Sequence, residues 1–274
     1  MKINKMRQED WLGLFPKICQ LAEEAGHAIM RFYSKSADAE MLVAHKSDDS
    51  PLTLADLASH DVIVAGLALL TPEIPLVSEE DSASLIHRKP QGCFWLIDPL
   101  DGTKEFLARN GEFTVNIALI EDGEPLWGVV YAPALHQLFW GGQAFGSFRR
   151  EASGTMTLTV SPPVAPEQAY RVVASKSHLN AETSAFIDRL GSVELIQAGS
   201  SLKFCRIAEG SADVYPRLAP TCEWDTAAAQ AVVEGAGGQV YDTQGVRLLY
   251  GKTDLLNPHF IAASVSLTLL NLTA

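Results

Sequence analysis

Four large apolar residues in succession, 94–97, run directly into Asp98-Pro-Leu-Asp101-Gly102-Thr103, and few arrangements can accommodate that order. The apolar run predicts a short buried strand, so both carboxylates emerge together where it ends. Pro99 is expected to stop the ladder and Gly102 to permit a tight turn, leaving Asp98 and Asp101 facing one small space. Two carboxylates that close repel unless positive charge sits between them, and a divalent metal ion is the natural candidate. Asp-Pro and Asp-Gly also suit an ordinary turn, so the segment gains meaning only with the rest of the chain.

Three further acids occupy similar settings. Glu79 follows the apolar pair Leu76-Val77 at a strand end, Asp225 stands where a helix begins, and Asp56 lies early on another helix. Singly, each has a plainer explanation: Asp225 suits a helix N-cap, Asp56 a first helical turn, and Glu79 a solvated acidic loop. Together they describe elements that could converge at one end of a sheet. Oxygen-only donors favour Mg²⁺ or Mn²⁺, and a carboxylate such as Asp98 can bridge two ions in a phosphoryl-transfer site. The Gly102 and Thr103 amides, opening a helix, could cradle the phosphate.

The remainder of the 274-residue chain narrows the choice. Acidic residues outnumber basic ones 33 to 21, a net charge of −12, which argues against a nucleic-acid duplex as partner but not against a small phosphorylated ligand. Four scattered cysteines without a C-x-x-C pair suggest free thiols, and the histidines lack zinc spacing. The start of the chain shows no secretory pattern, and the apolar run 62–70 is too short to span a bilayer, so a cytoplasmic location is expected. No signature of oligomeric state is readable.

Apolar residues at helical spacing from Leu14 to Phe32 predict a long first helix, and a second is expected over about 53–70. Strands are predicted over 113–120 and 126–131 with Asp122-Gly123 turning between them, and 138–140 could extend that sheet. Around 141–166 the pattern dissolves into Gly, Ser, Thr and Pro, which places a boundary between halves of about 1–150 and 151–274. Beyond it, strands (171–174, 193–196, 239–241, 259–262) alternate with helices (181–190, 201–209, 226–234), implying layered α/β architecture.

Asp98-Pro-Leu-Asp-Gly-Thr103, Ser78-Glu-Glu80 and Trp224-Asp225-Thr-Ala resemble the signatures of the inositol monophosphatase superfamily, Mg²⁺-dependent and lithium-sensitive phosphatases. Within it, Asp101-Gly-Thr-Lys-Glu-Phe106, the run 110–119 and Gly199-Ser-Ser-Leu-Lys-Phe-Cys205 are most similar to the bacterial 3′(2′),5′-bisphosphate nucleotidases. The resemblance implies an α-β-α-β-α sandwich formed by the chain as a single unit. It also implies two or three Mg²⁺ ions, with Mn²⁺ as a substitute, held by Glu79, Asp98, the Leu100 carbonyl, Asp101 and Asp225. Asp56 and Thr103 match the pair that orients and activates the attacking water. Ser175, His178, Ser200 and Lys203 match nucleotide contacts and join Glu79, Leu100, Asp101, Gly102, Thr103 and Asp225 around the substrate. A surface lysine is the plainer reading of Lys203, and Cys222 is expected to be a passive buried side chain.

The implied reaction is hydrolysis of adenosine 3′,5′-bisphosphate to AMP and phosphate, extending to 3′-phosphoadenylyl sulfate, with direct attack by water. Peripheral association with the inner membrane is compatible with it. Inositol monophosphatase or fructose-1,6-bisphosphatase activity is the alternative on the same fold, and a nucleotide or metal sensor is the non-enzymatic one. An aspartyl-phosphate mechanism of the haloacid dehalogenase type needs D-x-D, and here the acids stand one residue further apart, at 98 and 101.

Overall fold

The computed structural model describes residues 8–33, 43–45, 51–165, 167–174 and 180–265. The chain runs α1 (Gln8–Tyr33), β1 (Val43–His45), β2 (Pro51–Thr53), α2 (Leu54–Leu70), β3 (Leu76–Ser78), β4 (Cys93–Asp101), α3 (Thr103–Leu107), β5 (Thr114–Glu121) and β6 (Glu124–Ala132). Next come β7 (Gln137–Gly142), β8 (Gly146–Glu151), β9 (Gly154–Thr157), β10 (Tyr170–Ala174), α4 (Ala181–Arg189) and β11 (Val193–Gln197). It closes with α5 (Leu202–Ala208), β12 (Val214–Arg217), α6 (Ala227–Gly235), β13 (Gln239–Asp242) and β14 (Phe260–Ala263).

Strands β3 to β9 form a seven-stranded sheet in chain order, and β11-β10-β12-β14-β13 form a five-stranded one; β1 and β2 make a separate hairpin. Helices α1 and α2 cover one face of the larger sheet, α5 and α6 lie between the sheets, and α4 packs against the smaller sheet. This is the α-β-α-β-α layering expected from the sequence. Among the described residues no helix is long and apolar enough to cross a membrane.

The apolar run of β4 explains why the sheet is covered on both sides. Trp95 and Ile97 enter the core beneath α1 and α2, while Phe94 and Leu96 enter the core beneath α5 and α6. All four are essentially inaccessible to water, and each such side chain contributes roughly 1.5–3 kcal/mol on burial. The β5–β6 hairpin turns at Asp122 and Gly123, both with positive φ (50° and 82°). On β6, Gly128 allows α6 to approach closely: a Cβ there would lie 2.3 Å from the Ala228 carbonyl oxygen.

Two local expectations change. Pro99 does not end β4. The strand continues to Asp101 across a register shift between Asp98 and Asp101, so the missing Pro99 N–H falls where no ladder bond is needed. The stretch 141–166 also holds β8 and β9, which continue the first sheet to Thr157. Its glycines are not only breakers, since Gly142 lies against Gly235 of α6 and leaves no room for a Cβ on that glycine.

Candidate active site

Strands β3 and β4 are parallel neighbours, with Ser78 opposite Ile97, so their C-terminal ends deliver Glu79 and Asp98 side by side. The Glu79 amide bonds the Ile97 carbonyl at 3.1 Å and pins the acidic turn to β4. From far along the chain, the 3-10 turn Glu223–Asp225 at the entrance to α6 packs against β4 and β5 and brings Asp225 to the same place. Carboxylate oxygens of Glu79, Asp98 and Asp225, one from each, all lie within 4.8 Å of one another. Asp56 and Asp101 stand outside this triad.

The triad is electrostatically costly. Asp98 is 2% exposed, and burial, then Glu79, Asp101 and Asp225, push its carboxyl well above the usual range. Burial, followed by the charges of Asp101 and Glu79, does the same to Asp225, against the opposing hydrogen bond from the Cys222 amide. The acids are nonetheless firmly held. The Leu100 amide donates to Asp98 Oδ1 at 3.1 Å, and the Cys222 amide to Asp225 Oδ2 at 2.8 Å. Convergent hard oxygens carrying surplus negative charge fit a divalent cation of the Mg²⁺ class.

Asp101 accepts a hydrogen bond from Ser201 Oγ at 2.8 Å. Gly102 follows in the left-handed region (φ 89°), which turns the chain into α3 with Thr103 as its first residue. Asp56 accepts from the Thr53 amide at 2.8 Å and caps α2, so the structural part foreseen for it holds; β2, which ends at Thr53, lies against α3.

A pocket opens beside Asp101 and Asp225, with Gly102, Ser200, Lys203, Tyr215 and Arg217 in its wall. Lys203 is not a surface lysine: it is 7% exposed, with Nζ 5.7 Å from the centre of the Tyr215 ring. Burial lowers its pKa, and Asp101 opposes that shift. Ser200, with φ 41°, donates to the Glu112 carbonyl at 2.8 Å. Ser175 and His178 lie outside the described residues.

Sequence reasoning missed Arg217. Its Nε is buried with no partner among the described residues, while Nη2 donates to the Pro220 carbonyl at 3.2 Å. Arg217 also lines the pocket beside the acids, and a guanidinium there suits an anionic ligand. The signal available was a charged residue closing the apolar strand β12, eight positions before Asp225.

A family model described as the inositol monophosphatase family matches residues 14–271. This chain belongs to the inositol monophosphatase family. Among curated members it is 46% identical over 252 residues to the 3′(2′),5′-bisphosphate nucleotidase CysQ of Salmonella typhimurium, covering 90% of this chain and 98% of that one. It is 40% identical to the protein of the same name from Buchnera aphidicola, covering 93% and 95% of the two chains. The crystal structure of CysQ from Bacteroides thetaiotaomicron aligns with a TM-score of 0.78 at 39% identity, over 92% of this chain and 98% of that one. The Thermotoga maritima IMPase shares the fold, with a TM-score of 0.73 at 23% identity over 93% and 94%. The alternation of sheets and helices is therefore that of the inositol monophosphatase family.

Proposed function

We propose that this family member is a Mg²⁺-dependent nucleotidase that hydrolyses the 3′-phosphate of adenosine 3′,5′-bisphosphate to give AMP and phosphate, and that also accepts 3′-phosphoadenylyl sulfate. The carrying observation is one pocket bordered by Asp101 and Asp225 with Lys203 and Arg217 also in its wall. A substrate with two phosphate groups uses both kinds of residue. The names of the relatives from Salmonella typhimurium and Buchnera aphidicola support the same substrate class.

Glu79, Asp98, Asp101, Asp225 and the Leu100 carbonyl would hold Mg²⁺. When bound, the ion supplies the positive charge that polarises phosphoryl oxygens and makes water more acidic. The protein's own groups do the rest. Gly102 lets the chain approach the reacting phosphate, and Lys203 and Arg217 bind the second phosphate through charge-assisted hydrogen bonds. Ser200 lines the nucleotide side, and the resemblance gives Ser175 and His178 nucleotide contacts as well. Thr103 takes a proton from the attacking water and relays it toward Asp56, which Thr53 anchors. As the new P–O bond forms, the bond to the ribose 3′-oxygen breaks, with no phosphorylated enzyme between. The halves of about 1–150 and 151–274 work as one unit, because Asp98 and Asp225 come from different halves.

Phosphate release tests this reading. With Mg²⁺, adenosine 3′,5′-bisphosphate should exceed inositol 1-phosphate, which lacks a second phosphate, in kcat/KM by on the order of 10- to 100-fold, the worth of about 1.5–3 kcal/mol in a charged hydrogen bond, and should also exceed fructose 1,6-bisphosphate, which carries its two phosphates on a different frame. A chelator should abolish release. Equal rates on all three substrates, or release indifferent to chelation, would overturn it.

A further inference from the structure

Asn116 stands in the middle of β5, 1% exposed, where an amide side chain is an expensive occupant. Its polar atoms are both engaged. Thr114 Oγ1 donates to Asn116 Oδ1 at 3.1 Å, and Asn116 Nδ2 donates to Ser201 Oγ at 2.9 Å. Ser201 is equally unusual. It occupies the N-cap position of α5, where a serine ordinarily bonds an amide of its own helix, yet it makes no such bond. Its hydroxyl instead faces Asp101 Oδ2 at 2.8 Å and the Asp225 carbonyl at 2.9 Å.

A serine hydroxyl carries one proton. With Asn116 donating to Ser201, that proton goes to one of two acceptors, and a carboxylate makes the stronger, charge-assisted bond. The chain Thr114–Asn116–Ser201 therefore runs donor to acceptor and terminates on Asp101. It spans β5, the entrance to α5, the end of β4 and, through the Asp225 carbonyl, the turn before α6. Every member is at most 1% exposed.

We infer that Ser201, oriented by Asn116, is a positioning residue that fixes the Asp101 carboxylate relative to the Asp225 turn for divalent-cation binding. The inference rests on the reading of Asp101 as a metal ligand in the proposed function. Asn116 acts only through Ser201, so it should matter only while the serine is present. Neither residue lines the pocket beside Asp101 and Asp225.

The test is calorimetric titration of Mn²⁺ into the protein without nucleotide, for wild type, S201A, S201T, N116A, S201A/N116A and D101N, with a melting curve for each. Loss of a group that orients a ligand typically weakens metal binding about 10- to 100-fold, and S201A should fall in that range. S201T retains the hydroxyl and should stay within roughly threefold of wild type on the same scale. N116A should bind less tightly than wild type, and S201A/N116A no more weakly than S201A. Affinity in S201A within twofold of wild type, or losses that multiply in the double variant, would overturn the inference while leaving Asp101 as a ligand. Should S201A fail to fold, N116A and S201T decide by the same criteria. Mn²⁺ binding indifferent to D101N would overturn the ligand reading itself, and the inference with it.

Discussion

Asp98, itself 2% exposed, is pressed by Glu79, Asp101 and Asp225, and its charged form is disfavoured accordingly. A carboxyl whose pKa is higher folded than unfolded binds more protons in the native state between the two values. Metal-free stability must therefore fall as pH rises from the ordinary carboxylate range toward the folded pKa. A divalent ion removes the cause by supplying the missing charge. Arg217 presents the opposite case, a cation in the wall of the pocket. Truncating it in R217A should raise KM for adenosine 3′,5′-bisphosphate about 10- to 100-fold, as expected for a lost charged hydrogen bond. KM for 3′-AMP, which lacks the second phosphate, should change little. Steady-state kinetics on both substrates check this, and equal losses would remove Arg217 from the second-phosphate site.

At the scale of elements, the site depends on how closely α6 lies on the larger sheet. G128A would place a methyl 2.3 Å from the Ala228 carbonyl oxygen and 2.6 Å from its Cα, both backbone atoms that move only with the helix. The expected loss is about 1–3 kcal/mol, the usual range for overpacking, measurable by denaturant unfolding. Because α6 follows directly on Asp225, phosphate release should fall as well; unchanged stability would mean that α6 adjusts freely.

Elements of this kind were unevenly legible in the sequence. The buried run of β4, the Asp122-Gly123 hairpin and the acids at strand ends announce themselves, since each depends on neighbouring residues. The continuation of β4 past Pro99 does not, because a bulge depends on the partner strand β5. Strands β8 and β9 were hidden by glycines set by neighbouring strands and by turns: a Cβ on Gly142 would meet the Leu126 carbonyl of β6 at 2.2 Å, and Gly146 and Gly154 have positive φ. The Ser201 bond to Asp101 crosses 100 positions. Arg217 reads as an ordinary strand end until the pocket shows what it faces.

Across the whole molecule, the acids that belong together come from distant parts of the chain: Glu79 and Asp98 from the ends of β3 and β4, Asp225 from the turn before α6. Their repulsion acts where the seven-stranded sheet meets the turn leading into α6. The fold thus carries a destabilising cluster that its interleaved layers hold together and that a ligand can relieve, a common relation between function and stability. The resemblance noted at Asp98-Pro-Leu-Asp-Gly-Thr103 and the family match agree on the fold, and the clustering of the acids gives both a physical basis.

Thermal unfolding of wild type and D98N at neutral pH, with chelator and with saturating Mg²⁺, tests the metal-site reading most directly. Without metal, D98N should be the more stable of the two, because it removes a buried repelling charge. At 100 times its Kd, Mg²⁺ should stabilise wild type by about 2.7 kcal/mol, a rise of several degrees in Tm, and should leave D98N nearly unchanged. A wild-type Tm indifferent to Mg²⁺, or a shift of equal size in D98N, would contradict the account.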